Sequence, residues 1–223
     1  MEVTTTSNGY EIKRPTETLD DDAYVSLIEK FGITGSSPVE RLQALKGLSN
    51  DRIATLLTGI NKGLQGSKDH LVHRDGAMKV GEKETIAPEY RYDIFTTLLE
   101  DIKELPDDIN PERVGDTLAM AIVLLHPFED GNGRTARIVS LTLRDGFDNL
   151  EERKQDFDAL SEPRDLARAR GGFLINGFTP RFPEGFDQSD PAEVSGYLHG
   201  LLTNEDPHAY YGPYAPSSLK RVS

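Results

Sequence analysis

Leu124-Leu125-His126-Pro127-Phe128-Glu129-Asp130-Gly131-Asn132-Gly133-Arg134-Thr135-Ala136-Arg137 places a titratable nitrogen, carboxylates, a glycine-flanked turn and two arginines in one short run. An apolar segment leads into it and an amphipathic one leads out, so the stretch reads as a loop between two helices. Upstream, Asn110-Pro111 carries a helix-start signal, and Val114, Leu118, Ala121, Ile122 and Leu125 follow at helical spacing. That segment is nearly apolar from Leu118 to Leu125, which predicts a helix in the centre of a core. Pro127 ends it by disfavouring helical geometry in the residue before it, leaving His126 at the helix C-terminus. Downstream, Ile138, Val139, Leu141 and Leu143 predict a second central helix running to Gly146.

The loop between them has the chemistry of a polyphosphate and metal cradle. Gly131, Asn132 and Gly133 can adopt backbone angles closed to most residues, so successive N–H groups can turn inward as a concave anion nest. The following helix would aim its unpaired N–H groups at the same spot. Arg134 and Arg137 lie one turn apart on it, and guanidinium pairs with phosphate oxygens in bidentate fashion. Asp130 precedes the nest, where a carboxylate beside phosphates suits magnesium. His126 can accept a proton from an attacking hydroxyl. Taken singly, each feature is ordinary: a glycine turn, a histidine cap, arginines on a solvated helix face. Their joint occurrence behind a buried helix carries the functional reading.

Working outward, residues 71–88 change character. Ala77-Met78-Lys79-Val80, then Gly81-Glu82-Lys83-Glu84, then Thr85-Ile86-Ala87-Pro88 read as strand, turn and strand. Such a hairpin leaves an edge to which an extended segment could add. Tyr92, Phe95, Leu98, Leu99 and Ile102 predict a helix stopping before Pro106. Nearer the N-terminus, Asp20-Asp21-Asp22 caps an expected helix over 23–31 that stops at Gly32. Ser37-Pro38-Val39-Glu40 is a capping box with Leu42, Leu45 and Leu48 as its apolar face. Ile53, Leu56, Leu57 and Ile60 form a core stripe closed by Gly63 and Gly66. Residues 1–19 read as a surface arm. Helices are expected within 160–170 and 191–202, the latter followed by an aromatic tail.

One domain of the all-α class is therefore expected over residues 1–223: an arm at 1–19, N-terminal helices at 20–66, a core at 67–150 and C-terminal helices and tail at 151–223. A chain of 223 residues with 36% hydrophobic and 28% charged content can bury one core. Its net charge of −13 argues against nucleic acid or anionic membrane as a partner, while leaving room for a local basic island at the loop. With no cysteine, disulfides and thiolate metal sites are excluded, which is compatible with a reducing compartment. No apolar run approaches the ~20 residues needed to span a bilayer, and the N-terminus does not resemble a signal peptide. A cytoplasmic location is the expectation.

His126 to Arg137 also matches every fixed position of the signature H-x-F-x-[D/E]-G-N-G-R-x-x-R, and in this the chain resembles the Fic (Fido) family, recognisably over about residues 70–150. The resemblance implies an all-helical Fic fold with a β-hairpin flap, here at 77–87, and transfer of AMP from ATP to a Ser, Thr or Tyr hydroxyl of a target protein. By position, His126 would be the general base and Asp130 would hold Mg²⁺ against the α- and β-phosphates. Gly131, Asn132 and Gly133 would form the anion hole, with Asn132 near the α-phosphate. Arg134 and Arg137 would contact the β- and γ-phosphates, and Phe128 would anchor the loop in the core. Met78, Lys79 and Val80 of the flap would register the target. Doc-type relatives that phosphorylate carry lysine where this chain has Gly133, which favours AMP transfer.

Many members also restrain themselves with [S/T]-x-x-x-E-[G/N], whose glutamate pairs with the second arginine. Ser7/Glu11, Ser36/Glu40, Thr85/Glu89, Thr96/Glu100 and Ser189/Glu193 have the spacing, but none is followed by Gly or Asn. The expectation is a partner protein that supplies the glutamate to Arg137, as in toxin–antitoxin members, or no such restraint. Two alternatives stand beside AMP transfer. One is a Fic enzyme of other chemistry (another nucleotide, phosphate, or AMP removal). The other is a catalytically silent nucleotide-binding or partner-binding module.

Overall fold

In the computed structural model, residues 4–7, 10–13, 28–30, 32–65, 79–80, 83–128, 131–143, 182 and 185–203 are described. The chain is helical around two central helices, α4 (Pro111–Leu125) and α5 (Asn132–Thr142), with α1 (Pro38–Lys46), α2 (Asn50–Gln65), α3 (Pro88–Glu104) and α6 (Pro191–Thr203) packed about them. Two small ladders complete the described elements. In one, β1 (Thr4–Ser7) pairs with β2 (Tyr10–Lys13); in the other, β3 (Lys79–Val80) pairs with β4 (Lys83–Glu84), both antiparallel.

α4 starts where the Asn110 side chain accepts the Glu112 N–H and Pro111 takes the first helical position. Every residue from Val114 to Leu125 is buried, including Asp116 and Thr117. α5 runs antiparallel to it. A Cβ on Gly115, near the start of α4, would stand 3.0 Å from the Ser140 carbonyl oxygen near the end of α5. Glycine is what permits that approach. Beside it the Ser140 hydroxyl donates to the buried Asp116 carboxylate at 2.5 Å.

The outer helices are tied to this pair by side chains that bond backbone. Arg41 of α1, almost fully buried, donates through Nε to the Thr142 carbonyl at 2.6 Å and through Nη1 to Gly35 at 3.1 Å. A cation there complements the negative end of α5. Arg113 reaches the Leu202 carbonyl at the end of α6. The expected capping box is present: the Ser37 hydroxyl accepts the Glu40 N–H, and the Glu40 carboxylate accepts backbone N–H groups of Ser36 and Ser37. Ile53, Leu56, Leu57 and Ile60 are buried as their spacing predicts.

Several expectations need correcting. α2 continues through Gly63 to Gln65, because one helical glycine costs only about 1 kcal/mol against a well-packed stripe. The hairpin is shorter and earlier than its sequence suggests. Val80 pairs with Lys83, and Lys83-Glu84 is the second strand. Ile86 instead inserts into the core and Ala87 caps α3. Tyr92 is 61% exposed, since the first turn of α3 lies at the rim of a cleft while Arg91, Ile94, Leu98, Leu99 and Ile102 make its buried face. Within the arm at 1–19, Ser7 pairs with Tyr10. The two residues between are Asn8-Gly9, the dipeptide most favoured in two-residue hairpins. α5 ends at Thr142, and Gly146 lies outside the described residues, as do Asp20–Asp22 and the helix expected at 160–170. Among the described residues no helix is long and apolar enough to cross a membrane.

Candidate active site

His126 caps α4. Its N–H donates to the Ile122 carbonyl at 3.1 Å, and its backbone is left-handed at φ 49° and ψ 54°. It is the one non-glycine residue with positive φ among the described residues. That conformation costs an L-residue roughly 1–2 kcal/mol. Two neighbours impose it: Pro127 opposes continuation of the right-handed helix, and Phe128, buried in the core, pulls the chain back. The half-buried imidazole places Nδ1 3.4 Å from the Val123 carbonyl oxygen. In the tautomer protonated at Nδ1 the ring would donate to this carbonyl and carry its lone pair on Nε2.

The loop is closed by Asn132. Its Oδ1 accepts the Phe128 N–H at 3.0 Å and its Nδ2 donates to the Phe128 carbonyl at 2.7 Å. The side chain is thus committed to the protein backbone and buried. Gly131 supplies the left-handed cap at φ 79°, and the first intrahelical bond runs from the Thr135 N–H to the Gly131 carbonyl at 2.8 Å. The N–H groups of Asn132, Gly133 and Arg134 therefore precede any carbonyl that α5 could offer them. Gly133 is exposed, as the approach of a ligand requires. The positive end of α5 and these donors make the site electrophilic toward phosphate.

The first turn of α5 is anchored from behind. Asn61, near the end of α2, donates through Nδ2 to the Thr135 hydroxyl at 3.1 Å, and both residues are buried. Sequence reading missed Asn61. Its signal was a polar residue four positions after Leu57, on the core-facing side of α2.

The structure thus brings together His126, Phe128, Gly131, Asn132 and Gly133. Arg134 and Arg137 fall in the first two turns of α5, their side chains outside the described portion, and Glu129, Asp130 and Met78 lie outside it altogether. Lys79 and Val80 form β3. Of the glutamates with inhibitory-motif spacing, three have partners among the described residues: Glu40 in its capping box, Glu100 with Asn50 and Lys103, and Glu193 with the Asp187 N–H. A cleft of about 600 Å³ between α2, α3 and the end of α4 reaches the loop at Pro127 and Phe128.

Residues 50–143 match the model of the Fic/DOC family. The match begins at the first residue of α2 and so takes in a helix that the sequence alone left among generic flanks. Comparison with curated proteins and with solved structures returns no match.

Proposed function

The chain carries a Fic/DOC family domain, and from that premise we propose that it is a protein adenylyltransferase. It would take ATP as donor and a Ser, Thr or Tyr hydroxyl of another protein as acceptor. The observation that carries this reading is the pairing of His126, held as the left-handed cap of α4, with a glycine-opened helix N-terminus one short loop away. In the reaction the target hydroxyl oxygen bonds to the α-phosphorus as the bond to the bridging oxygen breaks, and pyrophosphate leaves. Nε2 of His126 takes the hydroxyl proton. The backbone N–H groups at Asn132, Gly133 and Arg134 hold the charge that develops on the phosphoryl oxygens. Arg134 and Arg137 neutralise the β- and γ-phosphates.

Asp130 is the residue that would hold Mg²⁺, an oxygen donor next to phosphates as that ion prefers; the ion would supply further charge neutralisation on the phosphates. Lys79 and Val80 of β3, with Met78 preceding them in the sequence, would take the target backbone by strand addition. Gly133, without a lysine's reach, supports AMP transfer over phosphate transfer. Restraint by a partner that offers a glutamate to Arg137 belongs to the same proposal.

The test is incubation of the protein with a lysate and ATP labelled at the α- or the γ-phosphate. Label from the α position on protein, lost in His126→Ala, is the expected result. Label from the γ position alone would establish phosphate transfer instead.

A further inference from the structure

We propose that Asn61 is a positioning residue for the phosphate cradle, acting through Thr135 on the first turn of α5. This rests on the reading of that turn as a phosphate-binding helix N-terminus. The two side chains lie 74 positions apart in sequence and meet at 3.1 Å in a buried setting, Asn61 being 2% and Thr135 0% exposed. Thr135 is the residue whose N–H makes the first intrahelical bond of α5, to Gly131 at 2.8 Å. It therefore sits directly behind the N–H groups that face the ligand. The loop side of the same turn is held by the two hydrogen bonds between Asn132 and Phe128. Gly131 and Gly133, on either side of Asn132, have no side chain to anchor.

A cradle built on glycines has little intrinsic stiffness, because glycine has the widest backbone freedom of any residue. Preorganised donors work only if their positions are fixed before the charge arrives. Asn132 fixes the loop to itself, which leaves the orientation of the turn relative to the rest of the molecule to be set by other contacts. Asn61 supplies one from α2, a separate helix with its own packed stripe. A hydrogen bond from a buried side-chain amide is directional, so it sets rotation of the turn about the helix axis, which apolar packing alone does poorly.

The experiment uses inorganic tripolyphosphate as the probe of the cradle, with binding to the full chain measured by calorimetry. Asn61→Ala and Thr135→Val are expected to weaken tripolyphosphate binding by roughly 10- to 100-fold, the range seen when supporting contacts of a binding site are lost. The double variant is expected to be no weaker than either single, since both remove one interaction. Thr135→Ser, which keeps the hydroxyl, is expected to bind within about two-fold of the parent. Circular dichroism fixes the temperature at which every variant is folded. Unchanged binding in Asn61→Ala, additive losses in the double variant, or failure of serine to restore binding would each overturn the proposal. A parent chain that binds tripolyphosphate but transfers no label from ATP would refute the adenylyltransferase reading while leaving this one standing.

Discussion

At His126 one residue serves two demands that conflict. As a C-cap it occupies a left-handed conformation that glycine accepts without cost, and as the proposed base it must be histidine. Strain of this kind is characteristic of sites where function overrides local preference. Two variants that both lack the ring separate the demands. His126→Gly is expected to be more stable than His126→Ala by about 1 kcal/mol, because only the backbone term differs. Equal denaturant midpoints for the two would show that the cap carries no strain. Both variants are expected to lose transfer by roughly 10²–10⁴-fold, the usual effect of removing a general base. The motif made His126 visible in the sequence; its strain was not, because φ is set by Pro127 and by burial of Phe128 together.

At the level of elements, α1 shows how charge and capping combine. The Ser36 N–H, then the Ser36 hydroxyl, then the Ser37 N–H donate to the Glu40 carboxylate and hold its pKa below the usual carboxylate range. A depressed folded pKa contributes stability above the unfolded value, about 4.3 for glutamate. That contribution disappears as pH falls through the folded value. Glu40→Gln keeps an acceptor but removes the charge, so its deficit in urea midpoint should be present at pH 7 and should narrow at pH 3. A deficit that stays constant between those conditions would mean the charge is irrelevant. Asp107 behaves alike, lowered by Gln43 and then Lys46, and with the Lys46 contact to the Leu105 carbonyl it links α1 to the end of α3. Capping signals of this sort span four residues and were readable. The hairpin was misplaced because the apolar character of Ile86 looks the same in a strand as in a core-inserting connection.

Across the whole molecule, the distance between α4 and α5 governs the loop that joins them. Gly115 sets it: an added Cβ would lie 3.0 Å from the Ser140 carbonyl oxygen, 3.2 Å from the Leu143 Cβ and 3.3 Å from the Ser140 Cα. Alanine would gain up to about 1 kcal/mol in helix propensity. Backbone on the facing side cannot swing away as a side chain tip can, so the overpacking cost of about 1–3 kcal/mol wins. Gly115→Ala is expected to lower the melting temperature by several degrees; a rise would show that the helices can part without cost.

What the sequence determined alone is what adjacent residues encode. Helical periodicity, the Asn110-Pro111 and Ser37-to-Glu40 starts, the Pro127 stop and the run from His126 to Arg137 are all local patterns that chain geometry converts directly into elements and a loop. Only the tertiary structure decided the partners. Arg41 finds Thr142 at 101 positions' distance and Asn61 finds Thr135 at 74, and the Asn132 amide turns to the Phe128 backbone. A buried polar group must bond to something, but which group it meets depends on helix packing that no local window contains.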